Sequence, residues 1–74
     1  MKTDDKILRI REMMFMFNLN QSEFADKIGI NQSNFSAILK GKRPCGNGVT
    51  DKIKLSFPEI NDKWLDRGEG NMLS

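Results

Sequence analysis

The chain has neither histidine nor tyrosine, and a single cysteine, Cys45, among 74 residues. Without histidine, the side chain that most often carries acid-base and metal chemistry near neutral pH is missing. One cysteine excludes an internal disulfide and a cysteine-based zinc site. It suits a reducing, cytoplasmic compartment, and no metal or cofactor is expected. Long apolar runs are also lacking. The longest, Met13 to Phe17, is five residues, against about 20 for a membrane-spanning helix. The opening MKTDDK is polar and acidic rather than leader-like. Neither charge sign dominates, since 12 basic and 10 acidic residues leave a net +2. That balance permits an anionic partner without demanding one.

What remains is a small apolar complement. A chain of this length hides only about three-fifths of its unfolded surface. With 38% of residues hydrophobic, it can fill one layer of short helices but not a core plus a separate substrate cleft. The acids Asp26, Asp51, Glu59, Asp62, Asp66 and Glu69 show no paired spacing of a catalytic dyad. No enzyme is expected.

The apolar residues recur at helical spacing. Ile7, Ile10, Met13, Met14 and Phe17 mark one face of a first helix over 4–17, with Thr3 as cap and Asp4 and Asp5 as favourable first-turn acids. Asn20 stands three before Glu23, an Asx capping box that opens a second helix over 21–28. Gly29 ends it and Asn31 caps a third helix over 32–40, closed by Gly41. KRPCGNG (42–48) reads as a loop punctuated by Pro44, Gly46 and Gly48. A fourth helix over 49–56 buries Val49, Ile53 and either Leu55 or Phe57. Asn61 caps a short fifth helix carrying Trp64, a core plug, and Leu65, stopped by Gly68 and Gly70. The last four residues are expected to fray. No stretch alternates with period two, so the chain is read as all-α and as one domain over 1–74.

Residues 21–40 carry the functional signal. Counted from Gln21, apolar or small residues fall at positions 4, 5, 8, 10, 15 and 18: Phe24, Ala25, Ile28, Ile30, Phe35 and Ile38. Gly29 stands at position nine. Ala25 must be small where a second helix crosses it closely, and Gly29 frees the backbone for positive φ. Ile30 plugs the gap under the turn, while Phe35 and Ile38 anchor the third helix against Phe24 and Ile28. The segment LNQSEFADKIGINQSNFSAILKGKR resembles the phage-repressor or Cro-type (Xre-like) helix-turn-helix family. The ending FPEINDKWLDRGEGNM is similar to that of many bacterial members, so the likeness covers roughly residues 7–72.

The resemblance implies a compact five-helix lambda-repressor-like fold with its helix-turn-helix at helices 2 and 3, the latter entering the DNA major groove. It assigns a phosphate grip to Gln21. It assigns base contact to Asn31, Gln32, Ser33, Asn34 and, one turn on, Ala37. The residue types agree, because Gln and Asn can bridge adenine N6 and N7, Ser can bond several edges, and Ala can either touch a thymine methyl or merely leave room. Outside the motif, a neutral Asn-Gln-Ser-Asn run would be an ordinary solvated surface. Ser36 is expected to point away from the groove or toward phosphate. The family often pairs an Arg late in helix 1 with a Glu near the end of helix 3. Met14 and Leu39 stand at the matching positions and are expected to touch each other, replacing the ion pair without stranding a charge.

Charge placement adds to this. Residues 32–54 hold five bases (Lys40, Lys42, Arg43, Lys52, Lys54) and one acid (Asp51), net +4, whereas 55–74 hold two bases and four acids, net −2. Taken singly, Lys40, Lys42 and Arg43 would be a solvated loop; clustered after this helix they are assigned to phosphate. Gly46 and Gly48 either make a turn or let backbone amides approach a phosphate. Cys45 is read as an incidental thiol. Leu8 and Phe15 form a second face on helix 1, which either packs under helix 5 and Trp64 or meets a partner.

The expected function is sequence-specific binding of double-stranded DNA by a bacterial or phage transcriptional regulator, most simply a repressor working at the nucleoid. Family members bind as homodimers to inverted-repeat operators. The tail 68–74 either frays or leads into a larger C-terminal dimerisation or sensing domain; failing that, the chain is a small regulator pairing through helix 5. From a different class comes the alternative of a protein-interaction or antitoxin module built on the same fold.

Overall fold

The computed structural model describes residues 5–73, so the expected cap Thr3 and first-turn acid Asp4 lie outside the described residues. Five helices follow in order: α1 (Asp5–Met16), α2 (Gln21–Ile28), α3 (Gln32–Leu39), α4 (Asn47–Ser56) and α5 (Asp62–Arg67). Among the described residues there is no strand, and no helix is long and apolar enough to cross a membrane.

The first three helices end alike. Asn18, Gly29 and Gly41 each take a left-handed φ, of 57°, 76° and 80°. After each, two amides turn back to orphan carbonyls: Leu19 N–H to Met14 O and Asn18 N–H to Phe15 O, Ile30 to Ala25 and Gly29 to Asp26, Lys42 to Ala37 and Gly41 to Ile38. This is the Schellman pattern. Asn18 is the non-glycine type that tolerates this conformation best, which stops α1 at Met16 instead of the expected Phe17. Likewise α3 ends at Leu39, with Lys40 as its cap.

Helix starts follow the side-chain caps. Asn20 Oδ1 accepts from Glu23 N–H at 2.8 Å, while Glu23 Oε1 accepts from Asn20 N–H at 3.0 Å. α4 departs from expectation: it begins at Asn47, two residues before Val49, with Gly46 as an uncapped N-cap and Gly48 inside the first turn. Glycine weakens a helix interior by about 1 kcal/mol. Here the buried Thr50 fixes the turn, donating its hydroxyl to Asn47 O at 3.0 Å.

One aromatic column organises the core. Phe35 stacks on Phe24 (5.2 Å between ring centres), Phe24 on Phe57 (5.3 Å) and Phe57 on Phe17 (5.0 Å). Such stacks add about 0.5–1.5 kcal/mol each beyond burial. Phe24, Ala25 and Phe35 are fully buried, as the motif requires. Of the two alternatives at the end of α4, Phe57 is buried and Leu55 is 83% exposed. Trp64 and Leu65 are both core residues.

Two arginines of α1 cap other helices. Arg9 donates from Nε to Leu65 O at 2.9 Å and from Nη2 to Asp66 O at 3.3 Å, at the end of α5. Arg11 Nη2 donates to Leu39 O at 3.1 Å, at the end of α3. The link between α1 and the end of α3 thus includes a guanidinium one turn before Met14, meeting a carbonyl rather than a carboxylate. Met14 itself is half-buried and packs on the core that includes Leu39.

Of the two alternatives for Leu8 and Phe15, packing under α5 does not occur. They are 51% and 88% exposed, and Met16 beside them is 58% exposed. The reason is rotational: α5 docks on the Arg9 side of α1, about 100° around the helix from Leu8. Where fraying was expected, residues 71–73 return along the start of α5. Asn61 N–H donates to Met72 O at 2.8 Å, Ile60 and Leu73 form an isolated antiparallel bridge, and Met72 packs on the core.

Candidate functional site

Two short helices joined by three residues, 29–31, bring the start of α2 beside the start of α3. Each linking residue has a task. Gly29 turns the chain, half-buried Ile30 packs on the core, and Asn31 caps α3 by accepting from Ser33 N–H at 2.7 Å and Asn34 N–H at 3.4 Å. With Phe35, Ile38 and Leu39 facing inward, α3 turns its other side to solvent.

On that side lies an open groove of about 410 Å³. Gln21 and Ser22 line it from α2, Gln32, Ser33, Ser36 and Ala37 from α3, and Lys40 and Lys42 from just beyond. Six of the nine residues singled out from the sequence thus meet in one place: Gln21, Gln32, Ser33, Ala37, Lys40 and Lys42. Asn34 and Arg43 do not join them. They line a second groove of about 310 Å³, with Ile30, Ile38, Pro44 and Val49. Asn31 lines neither, and its side-chain oxygen is committed to the cap, leaving its amide hydrogens for any ligand.

Two groove residues escaped the sequence reading. Ser36, expected to point away or toward phosphate, lines the groove and is half-buried. It falls four after Gln32 and four before Lys40, a spacing that puts all three on one helical face. Ser22 donates its hydroxyl to Gln32 Oε1 at 3.0 Å. No local pattern signals that bond, because it spans ten residues across the turn.

No carboxylate or imidazole lines the groove, so none of its serines has such a base to activate it. Its surface offers hydroxyls, carboxamides, one methyl and two ammonium groups. Lys40, Lys42 and Arg43 are exposed and pair with no acid among the described residues. Lys54 differs. It is 2.8 Å from Asp66 and hydrogen-bonded to it, which raises its pKa above the ordinary lysine value against the opposing effect of burial. One of the five bases of the positive segment is therefore neutralised within the fold. What the groove can do is bind an anionic, hydrogen-bonding surface. Compared with known protein families, with curated proteins and with solved structures, the chain matches none.

Proposed function

We propose that this chain binds double-stranded DNA sequence-specifically as the reading domain of a transcriptional regulator, most simply a repressor. On this reading α2, the turn and α3 act as a helix-turn-helix of the phage-repressor or Cro type, with α3 entering the major groove. The observation that carries it is the acid-free groove along α3, where Gln32, Ser33 and Ala37 stand between Gln21 and the cations of Lys40 and Lys42. Neutral donors and acceptors suit base edges, and flanking charge suits phosphates. Size agrees: the molecule measures 30 × 28 × 21 Å, so two copies side by side fit inverted half-sites about 34 Å apart.

Selection from a random duplex library, with fluorescence polarisation across salt, tests the proposal. An enriched palindromic motif and steeply salt-dependent affinity are expected. Retention of no preferred sequence at any salt overturns it.

A second reading is favoured by the exposed Leu8, Phe15 and Met16 of α1. Such a face fits a protein-interaction or antitoxin module. One dominant protein partner on pull-down, without sequence enrichment from the library, would select this reading instead.

A further inference from the structure

The hydrogen bond from Ser22 to Gln32 joins two exposed side chains across the turn. Neither is needed where it stands. Ser22 lies in the first turn of α2, but that end is already served by the reciprocal bonds of Asn20 and Glu23. Gln32 opens α3, whose first amides are taken by Asn31. An exposed bond of this kind adds little to stability. Its effect is orientational. The terminal torsion of a glutamine is broad and allows either end of the carboxamide to face a ligand. With Oε1 held by Ser22, the carboxamide keeps one oxygen lone pair and the Nε2 hydrogen beside it as a donor-acceptor edge of fixed order.

That order has a partner. Adenine offers the N7 acceptor and the N6 donor in the major groove, matching an Nε2 donor and an Oε1 acceptor; guanine offers two acceptors, N7 and O6. A carboxamide fixed in this way opposes its own oxygen to guanine O6. A free one can rotate to give hydrogens to both guanine atoms. We propose that Ser22 is a specificity-determining positioning residue, which holds the Gln32 carboxamide so that it accepts adenine and rejects guanine. This rests on the DNA-reading proposal above and deepens it.

The test uses the intact chain with Ser22→Ala and Ser22→Thr, selected on duplex libraries beside the wild type. The base position that Gln32 governs is identified as the one whose preference Gln32→Ala abolishes. There, Ser22→Ala should reduce adenine-over-guanine discrimination by about tenfold. Affinity for random duplex and the salt slope should stay unchanged, and Ser22→Thr, which keeps the hydroxyl, should restore discrimination. In the protein without DNA, the Gln32 side-chain amide resonances should shift in Ser22→Ala and return in Ser22→Thr. Weakening of all sequences alike would make Ser22 a phosphate anchor and overturn the inference, as would unaltered discrimination. If the wild type enriches a motif that survives Ser22→Ala, this inference alone fails. A wild type that enriches nothing overturns the DNA-reading proposal and this inference with it.

Discussion

α1 and α3 each bury one face in the same core, yet their outer faces are opposites. α3 turns out Gln32, Ser33, Ser36 and Ala37; α1 turns out Leu8, Phe15 and Met16. Burial therefore accounts for the inner half of each helix and leaves both outer halves unexplained by folding. A polar outer face is the default for a surface helix. On α3 the notable feature is what it excludes, since no acid lines the groove. On α1 it is the presence of a phenylalanine 88% exposed, because adjoining exposed apolar side chains mark contact surfaces more often than isolated ones do. The two faces thus call for different ligands, and they can be separated by mutation.

The largest effect is expected where both depend on the same support. Phe24→Ala removes one of the two inner rings of the aromatic column and should destabilise the fold by about 3–5 kcal/mol, read by urea unfolding. A loss below about 1 kcal/mol would show that the column does not hold α3 in place. Next comes the outer face of α3. Gln32→Ala should cost about 1–3 kcal/mol at one base position, whereas Lys42→Ala should weaken all sequences alike and lower the salt slope by about one. If Gln32→Ala left both affinity and preference unaltered, α3 would be docked in another register.

Lys54 refines the comparison on the charge side. Paired with Asp66, it should leave the salt slope unchanged when replaced by Met, unlike Lys42. Because its pKa is raised in the fold, the pair's stabilisation is fully present below the ordinary lysine pKa of about 10.4 and is lost as pH rises through the raised value. The wild-type advantage over Lys54→Met, about 1 kcal/mol or less for a partly exposed pair, should be level from neutral pH upward and vanish only in strong alkali. An advantage already gone near pH 9 would contradict the pairing. The smallest stability effect belongs to α1: Phe15→Ser should change unfolding free energy by less than about 0.5 kcal/mol. A larger loss would mean that this ring is buried in solution, by a second copy or another chain.

The elements legible in the sequence were those specified by neighbours. Asn20 with Glu23, Asn31, Gly29 and Gly41 announce their turns because capping acts over two to four residues. The six apolar motif positions forecast the Phe24 and Phe35 packing for the same reason. The start of α4 was hidden because Gly46 and Gly48 read as breakers, while the interaction that holds that turn, Thr50 on Asn47, carries no strong pattern. The outward turn of Leu8 and Phe15 was hidden because it depends on where α5 docks, a long-range contact in which Arg9 reaches carbonyls 56 and 57 residues away. Within the groove, Gln21, Gln32, Ser33 and Ala37 were pointed to by the resemblance of residues 21–40 to a helix-turn-helix, and Lys40 and Lys42 by the clustering of bases after α3. The diversion of Asn34 and Arg43 to a second groove did not, because it depends on the path of 42–46 and the early start of α4.

The three-residue link between α2 and α3 has a consequence for how such a chain can change. Its turn, plug and cap are each occupied by a residue outside the groove, and the groove residues of α3 supply neither cap nor core. Ser33, Ser36 and Ala37 can therefore be exchanged with little effect on the scaffold. A single inserted residue within α3, by contrast, would swing everything after it by about 100° and turn the groove residues beyond it toward the core. The groove surface can drift one side chain at a time, while the length of α3 cannot drift at all.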